Sequence, residues 1–395
     1  MRLEERMNWR SMKFLLSSTF CVSLAMTASR AHAAPTSSPV LQAEVSDTAT
    51  LPPIGPHWFI PSASEETYQI YDIDKGKVLG TIPATMLANI VIAPDKKNFY
   101  VAETIWSRSD HGTRQDLLQV YDAKTLSLTK EIELPPRALA VFAAQDFAVS
   151  SDNKWGFIFN MSPATSVSLV DLKAGKVAQT VDIPGCALVY PWKTGGFSRL
   201  CGNGSLTNVA FDGGSPTVTH TKPFFDSNND PVFEQAIVDQ KTGQAIFISY
   251  TGKVYTTVLG PDPKISAPWS LQEAAGLPAV GTGVQELAWR PGGQQPFAWN
   301  AAKGELFVLM HPGNHWSHKT EGSQGWVFNV AEKKLLRRID LPQPASGIAA
   351  SPDNDALLYA TGHRDGPITV INSSTGDVIK TIPARVGAMS IAPGL

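Results

Sequence analysis

The chain has 395 residues, 43% hydrophobic and 17% charged, which is enough apolar content to bury a large core and too much for a disordered chain. Its 33 basic and 35 acidic residues leave a formal charge of -2, and no basic run occurs, so nothing points to a polyanionic partner such as nucleic acid.

Arg10 and Lys13 precede an apolar run from Phe14 to Met26, and Ala31-His32-Ala33 has the small-residue spacing that signal peptidase reads. The sequence therefore predicts a cleavable signal peptide over 1–33, cut near Ala33, followed by a flexible Pro/Ser/Thr-rich lead-in over 34–56. No later segment has the roughly 18 continuous apolar residues that spanning a bilayer needs, so no membrane insertion is expected. Cys21 falls in the leader, leaving Cys186 and Cys201 for the exported chain. Two cysteines in an oxidising compartment predict a disulfide, here closing a hairpin-sized loop worth about 3 kcal/mol in the chain-entropy model.

From residue 57 onward the chain repeats itself. "QIYDIDKGKVLGTIP" from Gln69, "QVYDAKTLSLTKEIELP" from Gln119, "SLVDLKAGKVAQTVDIP" from Ser168, "WVFNVAEKKLLRRIDLP" from Trp326 and "TVINSSTGDVIKTIP" from Thr369 share one plan. Each is an apolar strand, an Asp or Asn, a turn, and a second strand ending at Pro, which is a hairpin. Upstream stand matching hairpins, "IVIAPDKKNFYVAE" from Ile90, "FAVSSDNKWGFIFN" from Phe147, "AIVDQKTGQAIFISY" from Ala236 and "IAASPDNDALLYAT" from Ile348. Two hairpins make a four-stranded unit, and a repeat length of 40 to 50 residues per unit is that of propeller blades.

Second hairpins near residues 72, 122, 171, 211, 256, 329 and 372 count seven blades, with the fourth and fifth the weakest matches. "SIAPGL" from Ser390 echoes "VIAPDK" from Val91, as though a further blade begins and stops after one strand. The expected fold is all-β: a seven-bladed β-propeller of four-stranded antiparallel blades over 57–395, its ring closed by the C-terminal strand.

A propeller does not specify its function, so the site must decide. The chain has no Trp-Asp dipeptide, no Ser-centred nucleophile elbow, no zincin helix and no Gly-rich phosphate loop, hence no catalytic residues are expected in it. In "MHPGNHWSHKT", His311, His315 and His318 have spacings that would suit metal ligands on a helix. Pro312-Gly313 after a strand predicts a loop instead, where that spacing does not align the imidazoles, so no metal is assigned.

Five stretches do resemble a family. "WSRSDHGTRQD" (106–116), "SPATSVSLVDL" (162–172), the Cys186 and Cys201 pair, "WRPGG" (289–293), and "FVLMHP" followed by His318-Lys319 look like the heavy subunit of quinoprotein amine dehydrogenases. The aromatic amine dehydrogenase branch looks closest, with methylamine dehydrogenase next. The resemblance implies a periplasmic propeller without a cofactor of its own, two heavy subunits pairing with two small disulfide-rich light subunits that carry tryptophan tryptophylquinone. It also implies a primary amine substrate and a blue copper protein as electron acceptor. "FIPSASEETYQIYD" is shorter than the family's loop there, and the aromatic gate has no clear counterpart.

On that resemblance Trp106 walls the amine channel, or is plain inter-blade core; Arg108 and Arg114 are then expected as salt-bridge formers holding its loop, with Asp116 as their candidate partner. His311, Trp316, His318 and Lys319 form a partner-facing loop, against the blander reading of a solvated one. The rival function is an exported, non-catalytic or lactonase-like propeller that binds a ligand or protein partner. The cysteine pair, "WRPGG" and the His-Lys loop separate the two, since a generic propeller needs none of them.

Overall fold

An Asx residue that tethers its own turn recurs through the repeats and sets where the third strand ends in five of the seven blades. Oδ1 of Asp72, Asp122, Asp171, Asn329 and Asn372 accepts a backbone N–H two or three residues on, at 2.7 to 3.1 Å. Four residues after each Asx the backbone turns left-handed, at Gly76 (φ 64°), Leu126 (55°), Gly175 (69°), Lys333 (53°) and Gly376 (81°). Three of the five are glycine, the residue that enters this region at least cost; Leu126 and Lys333 show that the tether can hold others there.

The computed structural model describes residues 50–391 apart from 64–66, 86, 138–142, 162, 363–365 and 384–385. The leader predicted over 1–33 and the lead-in up to residue 49 lie outside the described residues. Seven antiparallel sheets follow one another along the chain. Blade 2 spans 89–133, blade 3 147–182, blade 4 186–220, blade 5 237–270, blade 6 288–345 and blade 7 347–382. Blade 1 takes three strands from the N-terminal end, Trp58–Ala63, Thr67–Asp72 and Lys77–Pro83, and its innermost strand from the C-terminal end, Val386–Ile391. Phe59 pairs with Ile391, Ile60 with Ser390 and Pro61 with Met389, so the ring closes through the strand that the "SIAP" echo predicts.

Seven apolar clusters fill the seven blade-to-blade interfaces. Strands buried on both faces carry near-continuous apolar runs; Leu306 to Met310 and Trp326 to Phe328 are all fully buried. At the closing seam, Phe59 of blade 1 stacks between Tyr71 (5.2 Å) and blade 7's Tyr359 (5.0 Å).

Two details depart from expectation. Blade 6 is five-stranded because its inner strand is broken: Ala288–Pro291 pairs with the far half of Glu305–Gly313, and Phe297–Asn300 with the near half. The interruption at 292–296 bridges to blade 7, where Ser346 O accepts from the Gln294 and Gln295 N–H groups and Ile348 N–H donates to Gln295 O. In blade 5 the second hairpin turns at 259–268 rather than near 256, because Pro261, Pro263 and Pro268 keep that stretch out of the ladder. Truncation before Val386 would bare Trp58–Ala63 as an edge. We expect it to lower the melting temperature by more than about 10 °C and to promote aggregation, read by calorimetry and size-exclusion chromatography.

Candidate functional site

Strands alternate direction within each blade, so the connections between second and third strands share one rim with the connections between blades. The other turns lie on the opposite rim. Three of the predicted features fall on the first rim: the Trp106 hairpin of blade 2, the disulfide of blade 4 and the His-Lys segment of blade 6. Blades 2 and 6 are not neighbours in the ring, so the structure places these features on one face without joining them in one pocket.

The blade 2 hairpin is long because its strands, Asn98–Arg108 and His111–Asp122, pair as far as Arg108 with His111. Trp106 is half-buried opposite Arg114, whose guanidinium lies 5.9 Å from its ring. Arg114 also pairs with Asp116 at 2.8 Å, the buried carboxylate that accepts the Thr104 hydroxyl as well. Arg108 is exposed and makes no ion pair among the described residues.

Cys186 and Cys201 are bonded, facing each other across the first two strands of blade 4. Arg199, fully buried, donates to the carbonyls of Cys186 (2.6 Å) and Leu188 (3.0 Å) and covers the Phe159 ring at 4.7 Å. Arg199 belongs to a set of interior charges that the sequence does not announce, with Arg137 and Asp146. Burial pulls both guanidinium groups down to about 10 and pushes the Asp146 carboxyl up to about 6. The Ala143 N–H and the Arg137 charge pull Asp146 the other way, and Arg137 donates to Asn89 Oδ1 at 3.0 Å. Arginines read as surface residues in a sequence unless a partner is visible nearby, and Arg199 finds its acceptors on the neighbouring strand of its own blade, backbone carbonyls that a sequence does not mark as partners.

Blade 6 departs from the predicted loop. Its second strand runs on through His311 to Gly313, because Arg290 pairs with His311 in the ladder and donates from Nε to Gly313 O (3.3 Å). His311 and His315 are each 2% exposed, so neither faces a partner in the chain alone. Trp316 is 50% exposed and Lys319 exposed; His318 stacks on Tyr250 at 3.9 Å. His311 Nε2, His318 Nδ1 and both ring nitrogens of His315 have no hydrogen-bond partner among the described residues. Burial holds His311 and His318 below the usual imidazole range, with Arg290 adding to His311 and Lys319 to His318, so neutral imidazoles are favoured at this rim. Among the described residues no three His, Cys, Asp or Glu side chains converge as a metal site.

"WRPGG" now has a physical reading. Trp289-Arg290-Pro291 is the inner strand, and the two glycines break it where no side chain fits. A Cβ on Gly292 would lie 2.6 Å from His311 Nε2 and 2.5 Å from Thr320 O; one on Gly293 (φ 128°) would lie 2.5 Å from Ser346 O. The indoles of Trp289 and Trp326 pack 5.5 Å apart. Trp326 is fully buried, donates to Gln324 Oε1 and is covered by Arg338 at 4.4 Å.

A family profile described as methylamine dehydrogenase heavy chain (MADH) matches residues 56–392. The methylamine dehydrogenase heavy chain of Methylobacillus flagellatus is 29% identical over 361 residues, covering 87% of this chain and 88% of its own. That of Paracoccus versutus is 27% identical over 315 residues, covering 79% and 72%. Among solved structures, a functionally unknown protein from Desulfotomaculum acetoxidans superposes with TM-score 0.58 at 12% identity, over 86% of this chain and 99% of its own. Dihydro-heme d1 dehydrogenase NirN in complex with DHE gives 0.52 at 13%, over 86% and 76%. At such identities these two share the fold alone.

We expect Gly292→Ala to cost about 1–3 kcal/mol in urea unfolding, through the clash with the His311 ring and Thr320 O. Part of that loss should return in the Gly292→Ala/His311→Ala double variant; equal losses in both backgrounds would count against the contact.

Proposed function

This chain belongs to the methylamine dehydrogenase heavy chain family, and from that premise we propose that it is the heavy subunit of an amine dehydrogenase that works in the periplasm. The family implies a light-chain partner and an amine substrate. Our reading adds that the partner is a small, disulfide-rich light subunit bearing tryptophan tryptophylquinone, in a two-heavy, two-light assembly. That quinone would take electrons from a primary amine, releasing aldehyde and ammonia, and pass them to a blue copper protein. The carrying observation is the family match across 56–392, and it weighs against the rival of a generic ligand-binding propeller.

This chain's part is to bind and to wall. The rim that bears Trp106 and Trp316 supports that role: an ordered hairpin holds one indole half-buried over an Arg114–Asp116 pair. A stacked Tyr250–His318 base carries the other indole beside it, half exposed. Exposed aromatic area on a rigid base is what a protein partner buries with least ordering cost. On this reading Trp106 lines the amine channel, Arg114 holds its hairpin through Asp116, the exposed Arg108 faces the channel or the light subunit, and Trp316, His318 and Lys319 meet the light subunit. His311 supports that segment from inside. The aromatic gate of the family's first-blade loop would fall around residues 64–66, which lie outside the described residues.

Two measurements test this. Purified from an exporting host, the chain should bring a small Cys-rich companion whose visible quinone absorbance is bleached by a primary amine. A lone, colourless chain would favour the generic propeller. In the reconstituted complex, Trp316→Ala should weaken light-chain binding about tenfold, roughly 1.4 kcal/mol. Trp106→Ala should raise KM for the amine while leaving that binding unchanged.

A further inference from the structure

The ring closes where its two ends meet, and one histidine stands across that seam. His57 immediately precedes the first strand of blade 1. Its Nδ1 lies 2.8 Å from Asp74 Oδ1, in the outer turn of the same blade, and its Nε2 lies 3.1 Å from Asp353 Oδ2 of blade 7. The second contact joins residues 296 apart in sequence. Both carboxylates are acceptors when ionised, and an imidazole can donate from both nitrogens only when protonated. A neutral His57 would turn a lone pair towards one of them.

We propose that His57 is a proton-operated latch on the propeller's closing seam, tying blade 1 to blade 7 as the imidazolium and letting go when it loses its proton.

The surroundings favour the charged form. Burial opposes it and is the largest single influence on the ring, but the hydrogen bonds and charges of Asp74 and Asp353 outweigh burial and hold the pKa above the ordinary histidine value. Asp353 is itself held below the usual carboxylate range, against burial, by the Ser351 hydroxyl and His57. Its backbone carbonyl accepts from Asn300 Nδ2 at 2.7 Å, which fixes the blade 7 turn. Other titratable groups at the seam are Tyr359, whose buried hydroxyl has no partner among the described residues, and Asp72, which pairs with Lys75 at 3.3 Å. Lys380, on the outer strand of blade 7, donates to Ile73 O at 2.9 Å. The latch and its carboxylates sit on the rim opposite Trp106 and Trp316, so it can be altered without touching the face assigned to the partner.

The sign follows from the raised pKa. The latch contributes its full stability below the unfolded-state value of about 6.5, and that stability is lost as pH rises through the folded pKa. Asp74 is 67% exposed, so salt should weaken the effect. The test compares the full chain with His57→Gln from pH 5 to 9 by thermal unfolding, alongside NMR titration of the wild-type imidazoles. The expected result is a melting-temperature gap of about 1–3 °C at pH 6 that closes by pH 9, with His57 titrating above 6.5. Hydrogen exchange in wild type should show protection of 386–391 falling across that titration, after correction for intrinsic rates, while blade 4 stays unchanged. Parallel melting curves, a His57 pKa at or below 6.5, or loss of protection shared by all blades would overturn the proposal. If His57→Gln does not fold, the titration and exchange of the wild-type chain still decide it.

Discussion

Everything in this molecule depends on one backbone pairing, between a strand that begins the propeller and a strand that ends it. A sheet packed face to face with two neighbours needs both of them, and in a closed ring every blade has both. Opening the ring would cost more than one ladder. It would uncover the Phe59, Tyr71 and Tyr359 stack, leave Trp58–Ala63 as an edge, and remove one of seven apolar interfaces. The pairing joins residues more than 300 positions apart, so its loop-closure cost is met only when the intervening blades have already shortened the path. At the seam the polar contacts of His57 with Asp74 and Asp353 stand beside the apolar ones.

A rigid ring also explains how features carried by different blades can be held in fixed relation to one another. The blades hold their rim connections at fixed radial positions, and what differs between blades is chiefly what each rim connection carries. Blade 2 extends a hairpin, blade 4 clamps its first two strands with a disulfide and the Arg199 bonds, and blade 6 bends an inner strand around a histidine ring. None of these is stable alone; each rests on a sheet buried on both faces. Interior charge follows the same logic. Arg137, Arg199 and Asp146 can be buried because inner strands bring backbone acceptors and opposite charge to them in a shared, shielded space.

The fold was legible because its signals are local. An Asx residue, a left-handed turn and a Pro stop recur within about 15 residues, and the closing strand repeats a motif from the other end. Blade 6's broken inner strand was not legible. At the break Gly292 lies so close to a ring 19 residues away that no side chain would fit, an approach that no pattern of strand and turn residues encodes. The same holds for His311, where Pro312-Gly313 signals a loop and the ladder with Arg290 carries the strand through. Of the predicted site, the Arg114–Asp116 pair was accessible since both residues lie on one strand face two apart. Burial of His315 and the Tyr250–His318 stack were not, because blade 5 supplies the other half.

Relatives at 27–29% identity retain enough to be recognised across most of their length, and the distribution of constraint in this structure accounts for it. Blade cores accept one apolar residue for another of similar volume, so they conserve pattern rather than identity. The positions with no such freedom are those where backbone meets backbone or ring: the glycines of "WRPGG", the two cysteines in register, and the Asx turns. The glycines and the cysteine pair are among the stretches by which the chain resembles its family. They mark close approach, and a methyl group on Gly292 would have nowhere to go. Trp316 and Lys319 by contrast are exposed, and Trp316 keeps one side of its indole against His315 and Tyr250.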